Sequence, residues 1–198
     1  MSAEPQISVL LDFIKEISPR SVLEVGCNSG RELNVIPGVR RYGVDKNPEG
    51  LSRVQGKTYC CDANKTPFKT SQIDLVYSMG CLGHNEDPLP ILEEMFRVAK
   101  KYVVLVEWIG TRGSGGGYGN CKSNTWIHDY ERLCSLKGEL CFNRKMNFGA
   151  DLFHVLVLRK KKPTTTNRIV ISEVPKEEYL FSIKLGKYIV GVKKNAKK

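Results

Sequence analysis

With 198 residues, 41% of them hydrophobic, the chain is long enough for one full domain with a sizeable core and a small appendage. It shows no apolar run of membrane-spanning length and no basic-then-apolar leader, which predicts a soluble, cytoplasmic protein without a membrane partner. The net charge of +10 is uneven: residues 159–198 hold 12 Lys and Arg against 3 Asp and Glu, leaving the first 158 residues at +1. Such a neutral body lacks the broad footprint of a nucleic-acid enzyme, and only the tail could supply one.

Ile7, Leu10, Leu11, Ile14 and Ile17 fall at helical spacing, and Ser18-Pro19 ends that segment. Residues 21–25 read as a first strand, 31–35 as the start of a short helix and 41–44 as a second strand, with Asn47-Pro48 turning into the next helix. Strands are expected at 57–61 and 73–77, then a helix over 90–100 with Ile91, Met95 and Val98 on one face. Residues 102–107 form a fifth strand, apolar enough to be buried on both faces. The glycine-rich segment 110–120, with Arg112 and Tyr118, reads as a lid over the active edge, or as a slack surface loop. Residues 126–137 read as a helix, and 141–146 and 152–159 as closing strands. After a linker at 160–166, strands at 168–174, 179–185 and 187–192, with a turn at Gly186, suggest a small β appendage. Strands alternating with helices predict an α/β, doubly wound parallel sheet over residues 1–162, followed by a basic extension over 163–198.

Seven cysteines without a C-x-x-C pair point to neither a disulfide framework nor a zinc site, and read as small buried hydrophobes. The chemistry starts at Val22-Leu23-Glu24-Val25-Gly26-Cys27-Asn28-Ser29-Gly30, where a β run ends in an acid and a glycine turn. A second β run ends in Gly43-Val44-Asp45. This layout places a nucleoside-bearing ligand across two neighbouring strand ends, where the second carboxylate can accept hydrogen bonds from ribose hydroxyls. The loop reads E-x-G-x-x-x-G and not G-x-G-x-x-G, so a pyrophosphate-bearing dinucleotide is the weaker reading. Asp45 also suits a plain helix N-cap beside Asn47-Pro48.

These motifs resemble those of the class I S-adenosylmethionine-dependent methyltransferases, with a Rossmann-like seven-stranded sheet, over about residues 7–159. The resemblance places Gly26, Asn28 and Gly30 beneath the methionine part of the cofactor, with Asn28 standing in for a middle glycine. It sets Glu24 near the cofactor amino group, Asp45 on the ribose, and Asp62-Ala63 and Met79 along the remainder of the cofactor site. Ser78-Met79-Gly80-Cys81-Leu82-Gly83-His84 then Asp87-Pro88, followed by a helix ending in Arg97-Val98, is similar to the family's strand-four loop. The family's Lys-Pro-Gly-Gly after that helix is missing. The shortened join, Glu107-Trp108 and Trp126-x-x-Asp129-Tyr130 are similar to small methylases of pseudaminic-acid and surface-sugar biosynthesis.

The resemblance implies S-adenosylmethionine as cofactor, no metal, and methyl transfer to oxygen or nitrogen of a small molecule such as a sugar or nucleotide sugar. A nucleic-acid methyltransferase using the basic tail, and a non-catalytic cofactor-binding subunit, are the alternatives. His84 is the catalytic candidate, as a base or as a positioning group, against a purely structural role in its loop. Glu107 ends a buried strand and needs a partner or solvent; a substrate or catalytic contact is the sharper role. Trp108, Tyr118, Trp126 and His128 are the substrate candidates, the two tryptophans equally suiting the core and His128 with Asp129 a helix cap.

Overall fold

The computed structural model describes residues 4–111, 119–121, 125–135, 137–160, 169–172, 179–185 and 188–193. Helix α1 (Pro5–Ile17) starts with proline in its first turn, where no backbone donor is needed, and ends at Ser18, whose φ of 48° closes the helix. Its buried face carries Ile7, Leu10, Phe13 and Ile14. Strands β1 (Ser21–Val25), β2 (Arg40–Asp45), β3 (Lys57–Cys60), β4 (Ile73–Met79) and β5 (Ala99–Thr111) run parallel. Strands β8 (Glu139–Phe148) and β9 (Asp151–Arg159) complete a seven-stranded sheet of order β3-β2-β1-β4-β5-β9-β8, with β9 antiparallel to both neighbours. This is the doubly wound α/β architecture expected from the sequence.

Period-two alternation divides the core between the two faces of the sheet. Leu75, Tyr77, Val104 and Val106 face α1, while Val76, Val103 and Leu105 face α3 (Leu89–Val98). Short α2 (Pro48–Leu51) is capped by Asn47, whose side chain accepts the Glu49 N–H. Because all the parallel strands end on one edge, the loops after β1, β2, β3, β4 and β5 converge there.

Three expectations are corrected. The helix expected at 90–100 stops at Val98: Ala99 is already extended (φ −62°, ψ 132°), so β5 starts at once, with no loop for a missing Lys-Pro-Gly-Gly to fill. The helix expected over 126–137 is reduced to α4 (Tyr130–Cys134). Asp129 accepts the Arg132 N–H as its cap, and Thr125–Ile127 instead forms β7, paired with β6 (Gly119–Cys121). Finally, residues 31–35 supply only a 3-10 turn, Leu33–Val35. Beyond the main sheet, β10 (Ile169–Ser172), β11 (Tyr179–Leu185) and β12 (Tyr188–Lys193) form a three-stranded antiparallel sheet with β12 in the centre. Gly186 lies outside the described residues. Among the described residues, no helix is long and apolar enough to cross a membrane.

Candidate active site

The glycine turn after β1 is made by alternating left-handed residues: Gly26 (φ 76°), Asn28 (φ 41°) and Gly30 (φ 71°). Asn28 thus takes the conformation its place in the motif demands, which asparagine tolerates better than most side chains. At Gly26 a Cβ would lie 2.1 Å from Cys81 Sγ, so the turn packs directly on the loop after β4. Asp45, at the end of β2, locks the turn in place. One carboxylate oxygen accepts the Asn28 N–H at 2.7 Å and the other the Asn47 N–H at 2.8 Å. Each oxygen retains acceptor capacity toward a ligand hydroxyl.

These loops enclose a cleft of about 590 Å³ lined by Gly26, Asn28, Asp45, Asp62, Ala63 and Met79, among others. Gly30 supports the turn from behind, where a Cβ would press on Asn34 and Val54. Asp62, after β3, forms an ion pair with Lys46 at 2.7 Å, and that contact holds its carboxyl below the usual range. Glu24 lies behind the cleft wall, 1% exposed, accepting the Tyr77 hydroxyl at 3.1 Å. Burial pushes its carboxyl well up, and the neighbouring Glu32 adds to the effect. Arg31, Glu32, Lys46 and Asn47 also line the cleft. Arg31 and Glu32 follow the glycine turn directly, and that adjacency was the available signal for them.

A second cavity of about 210 Å³ adjoins the first, lined by Gly80, Gly83, His84, Glu107, Trp108 and Thr125. Gly80 and His84 line both. Gly80, at φ 62°, has nothing among the described residues within 4 Å of where a Cβ would sit. His84 is exposed at the end of a 3-10 turn, Leu82–His84.

Glu107 is fully buried at the active edge of β5. Its carboxylate accepts the Ser78 hydroxyl at 2.5 Å and the Leu82 N–H at 3.1 Å, with the Cys81 and Gly83 amides also directed at it. The buried carboxylate therefore anchors the turn that carries His84. Burial raises its pKa to about 7 despite these donors.

Trp108 forms part of the second cavity and donates its indole N–H to Asp151 at 3.1 Å. Trp126 is half-buried on β7, with its carbonyl beside Gly83. His128 Nε2 lies 2.8 Å from the Asn85 carbonyl, a contact that ties the segment before α4 to the β4 loop. Tyr118 and Arg112 lie outside the described residues. Sequence reasoning missed Thr125, which sits in a segment read as helix, and gave no role to Tyr130, which is fully buried and leaves its hydroxyl without a partner among the described residues.

Residues 23–106 match a family profile described as a methyltransferase domain. Norajmaline N-methyltransferase from Rauvolfia serpentina is 28% identical over 95 residues, a match that covers 41% of this chain and 32% of that enzyme. The chain thus spans about a third of that relative's length. Magnesium protoporphyrin IX methyltransferase from Synechocystis, crystallised with bound S-adenosylmethionine, superposes with a TM-score of 0.64 at 12% identity, covering 80% of this chain and 79% of that one. Geranyl diphosphate C-methyltransferase from Streptomyces coelicolor A3(2) gives 0.63 at 12% identity, covering 78% and 77%. Strand-end acids, glycine turn and sheet order agree with the profile match, and residues 23–106 are similar to the methyltransferase domain of class I S-adenosylmethionine-dependent enzymes.

Proposed function

We propose that this chain transfers a methyl group from S-adenosylmethionine to an oxygen or nitrogen of a small molecule seated in the second cavity. The observation that carries this reading is the junction: a nucleoside-sized cleft and a smaller cavity share Gly80 and His84. The cleft's donor set suits the cofactor. Asp45 is oriented for hydroxyls, Asp62 for an amino group, and buried Glu24 gains a counter-charge from an α-ammonium. A sugar or nucleotide sugar is one acceptor class for the site, and the N-methylating relative supports nitrogen as the receiving atom.

S-adenosylmethionine, when bound, supplies a methyl already activated on a sulfonium. The protein's work is then alignment, exclusion of water and removal of one proton. Glu107 holds the Leu82–His84 turn against β5, which fixes His84 at the junction. There the imidazole accepts the acceptor's proton, or positions an acceptor that is already an anion. Trp108 walls the acceptor side, with its ring fixed by Asp151. Within this proposal residues 1–162 form the transferase domain, residues 163–198 an appended basic element, and the enzyme works in the cytoplasm.

The test is release of S-adenosylhomocysteine on incubation with S-adenosylmethionine and a panel of amines, sugars and nucleotide sugars. Turnover on a member of the panel, abolished by Asp45→Ala, is expected. Tight cofactor binding with no turnover on any acceptor would instead favour a non-catalytic cofactor-binding subunit.

A further inference from the structure

The second cavity has an unusual charge balance. Among the described residues that line it there is no lysine or arginine, while Glu107 contributes a carboxylate with 0% exposure. Its hydrogen-bond donors are the Ser78 hydroxyl and backbone amides of the Cys81–Gly83 turn, all formally neutral. A charge of this kind, compensated only by dipoles, retains a strong attraction for a cation brought into the same low-dielectric space.

A second, independent feature points the same way. Tyr130 is 0% exposed and its hydroxyl has no hydrogen-bond partner among the described residues, although buried hydroxyls are normally satisfied. That hydroxyl stands 4.0 Å from where a Cβ on Gly83 would sit, and close enough to Glu107 for the carboxylate to disfavour its ionisation. Glycine at position 83 lets the turn pack closely here, since a Cβ would lie 3.1 Å from the Trp126 carbonyl. Of these acceptors the Glu107 carboxylate belongs to the cavity lining, and the hydroxyl and the carbonyl lie beside Gly83 and add negative potential to the same wall. Trp108 adds an aromatic wall, which favours cations over anions.

We propose that the second cavity is an ammonium site, so that the methyl acceptor is an amine that binds in its protonated form, with Glu107 as the selectivity-determining charge. The inference rests on the methyltransferase reading above and narrows it. A phosphate or carboxylate on the part of the acceptor that enters the cavity is disfavoured, because no basic side chain of the described lining meets it. In the transfer, the ammonium gives one N–H proton to the His84 imidazole at the mouth. The freed nitrogen pair forms the new C–N bond as the C–S bond of the donor breaks. The electron pair of that bond leaves with the sulfur, which becomes a neutral thioether.

Three probes of nearly equal shape separate the possibilities: benzylamine, benzyl alcohol and benzoate. Binding is read by calorimetry and intrinsic tryptophan fluorescence at about pH 8, in the full chain with S-adenosylhomocysteine present. Benzylamine should bind at least about tenfold more tightly than benzyl alcohol, as for a charge-assisted contact in a buried site, and benzoate should not bind. Glu107→Gln should abolish the preference while S-adenosylhomocysteine still binds. Equal affinity for amine and alcohol in the wild-type protein, preference for benzoate, binding of none of the three, or an undiminished amine preference in Glu107→Gln would each overturn the inference. Titration of S-adenosylhomocysteine alone keeps the two levels apart. Loss of cofactor binding strikes the methyltransferase reading, whereas cofactor binding without amine preference strikes the ammonium site alone.

Discussion

Glu107→Gln should remove a pH dependence from the stability of the fold. In the unfolded chain the Glu107 carboxyl ionises near its ordinary value of 4.5, and in the native protein burial moves that to about 7. Between those values the unfolded state binds fewer protons, so stability falls as pH rises, by about 1.4 kcal/mol per pH unit. The contribution is fully present below about pH 4.5 and lost by the time pH has passed about 7, a total of about 3 kcal/mol. Glutamine keeps an acceptor for the Leu82 N–H and carries no titration, and the Ser78 hydroxyl can turn to match its amide. Other titrating groups, Glu24 among them, are common to both proteins and cancel in the difference. Urea unfolding of both proteins at about pH 5, 6, 7 and 8 gives the comparison. Wild type should lose about 3 kcal/mol relative to the variant between pH 4.5 and 7, with most of the loss visible by pH 7. A difference that stays constant with pH would refute the placement of an ionisable, desolvated carboxyl at this site.

Gly26→Ala should destabilise the fold by about 3 kcal/mol in thermal or urea unfolding, from a Cβ at positive φ driven into Cys81. Glu94→Ala should cost about 2 kcal/mol, because Glu94 joins α3 to the loop after β3 through Thr66 and Arg97. Burial raises the Glu94 carboxyl, but bonds from Arg97 and Thr66 outweigh that and hold it below its ordinary value. Its contribution is therefore present above about pH 4.5 and lost as pH falls through the lower native value, so acid melts should narrow the gap between wild type and variant. His84→Ala should lower turnover about 100-fold while changing cofactor affinity far less, as single-turnover rates and calorimetry together would show. Unchanged turnover would leave His84 a structural element of its loop.

The parallel core of the fold was legible because its strands are buried on both faces and read as apolar runs bounded by turn residues. The larger cleft was legible for a related reason: Gly26, Asn28 and Asp45 stand at strand ends, where turn geometry leaves a mark in sequence. The second cavity was not legible to the same degree. Thr125 enters it because β6 and β7 pair, and a short, weakly patterned strand looks like a helix when Trp126, Tyr130 and Leu133 fall near helical spacing. Glu107 was singled out as a buried acid in need of a partner. That its partners are a hydroxyl and backbone amides of the β4 loop is a tertiary fact without a sequence signature. The shortened join from α3 to β5 was legible from the missing Lys-Pro-Gly-Gly, but its point at Ala99 was not, since Ala99 and the lysines after it continue a helix as readily as they start a strand.

Calorimetric titration of the full chain with S-adenosylmethionine, in parallel with Asp45→Ala, decides whether the cleft after β1 and β2 holds the methyl donor. Binding in the micromolar range, weakened at least about tenfold in the variant, is the predicted result, since Asp45 fixes the glycine turn and, in the proposed mode, would accept from the ligand hydroxyls. An intact protein that does not bind the cofactor, or an Asp45→Ala variant that binds it equally well, would contradict the account.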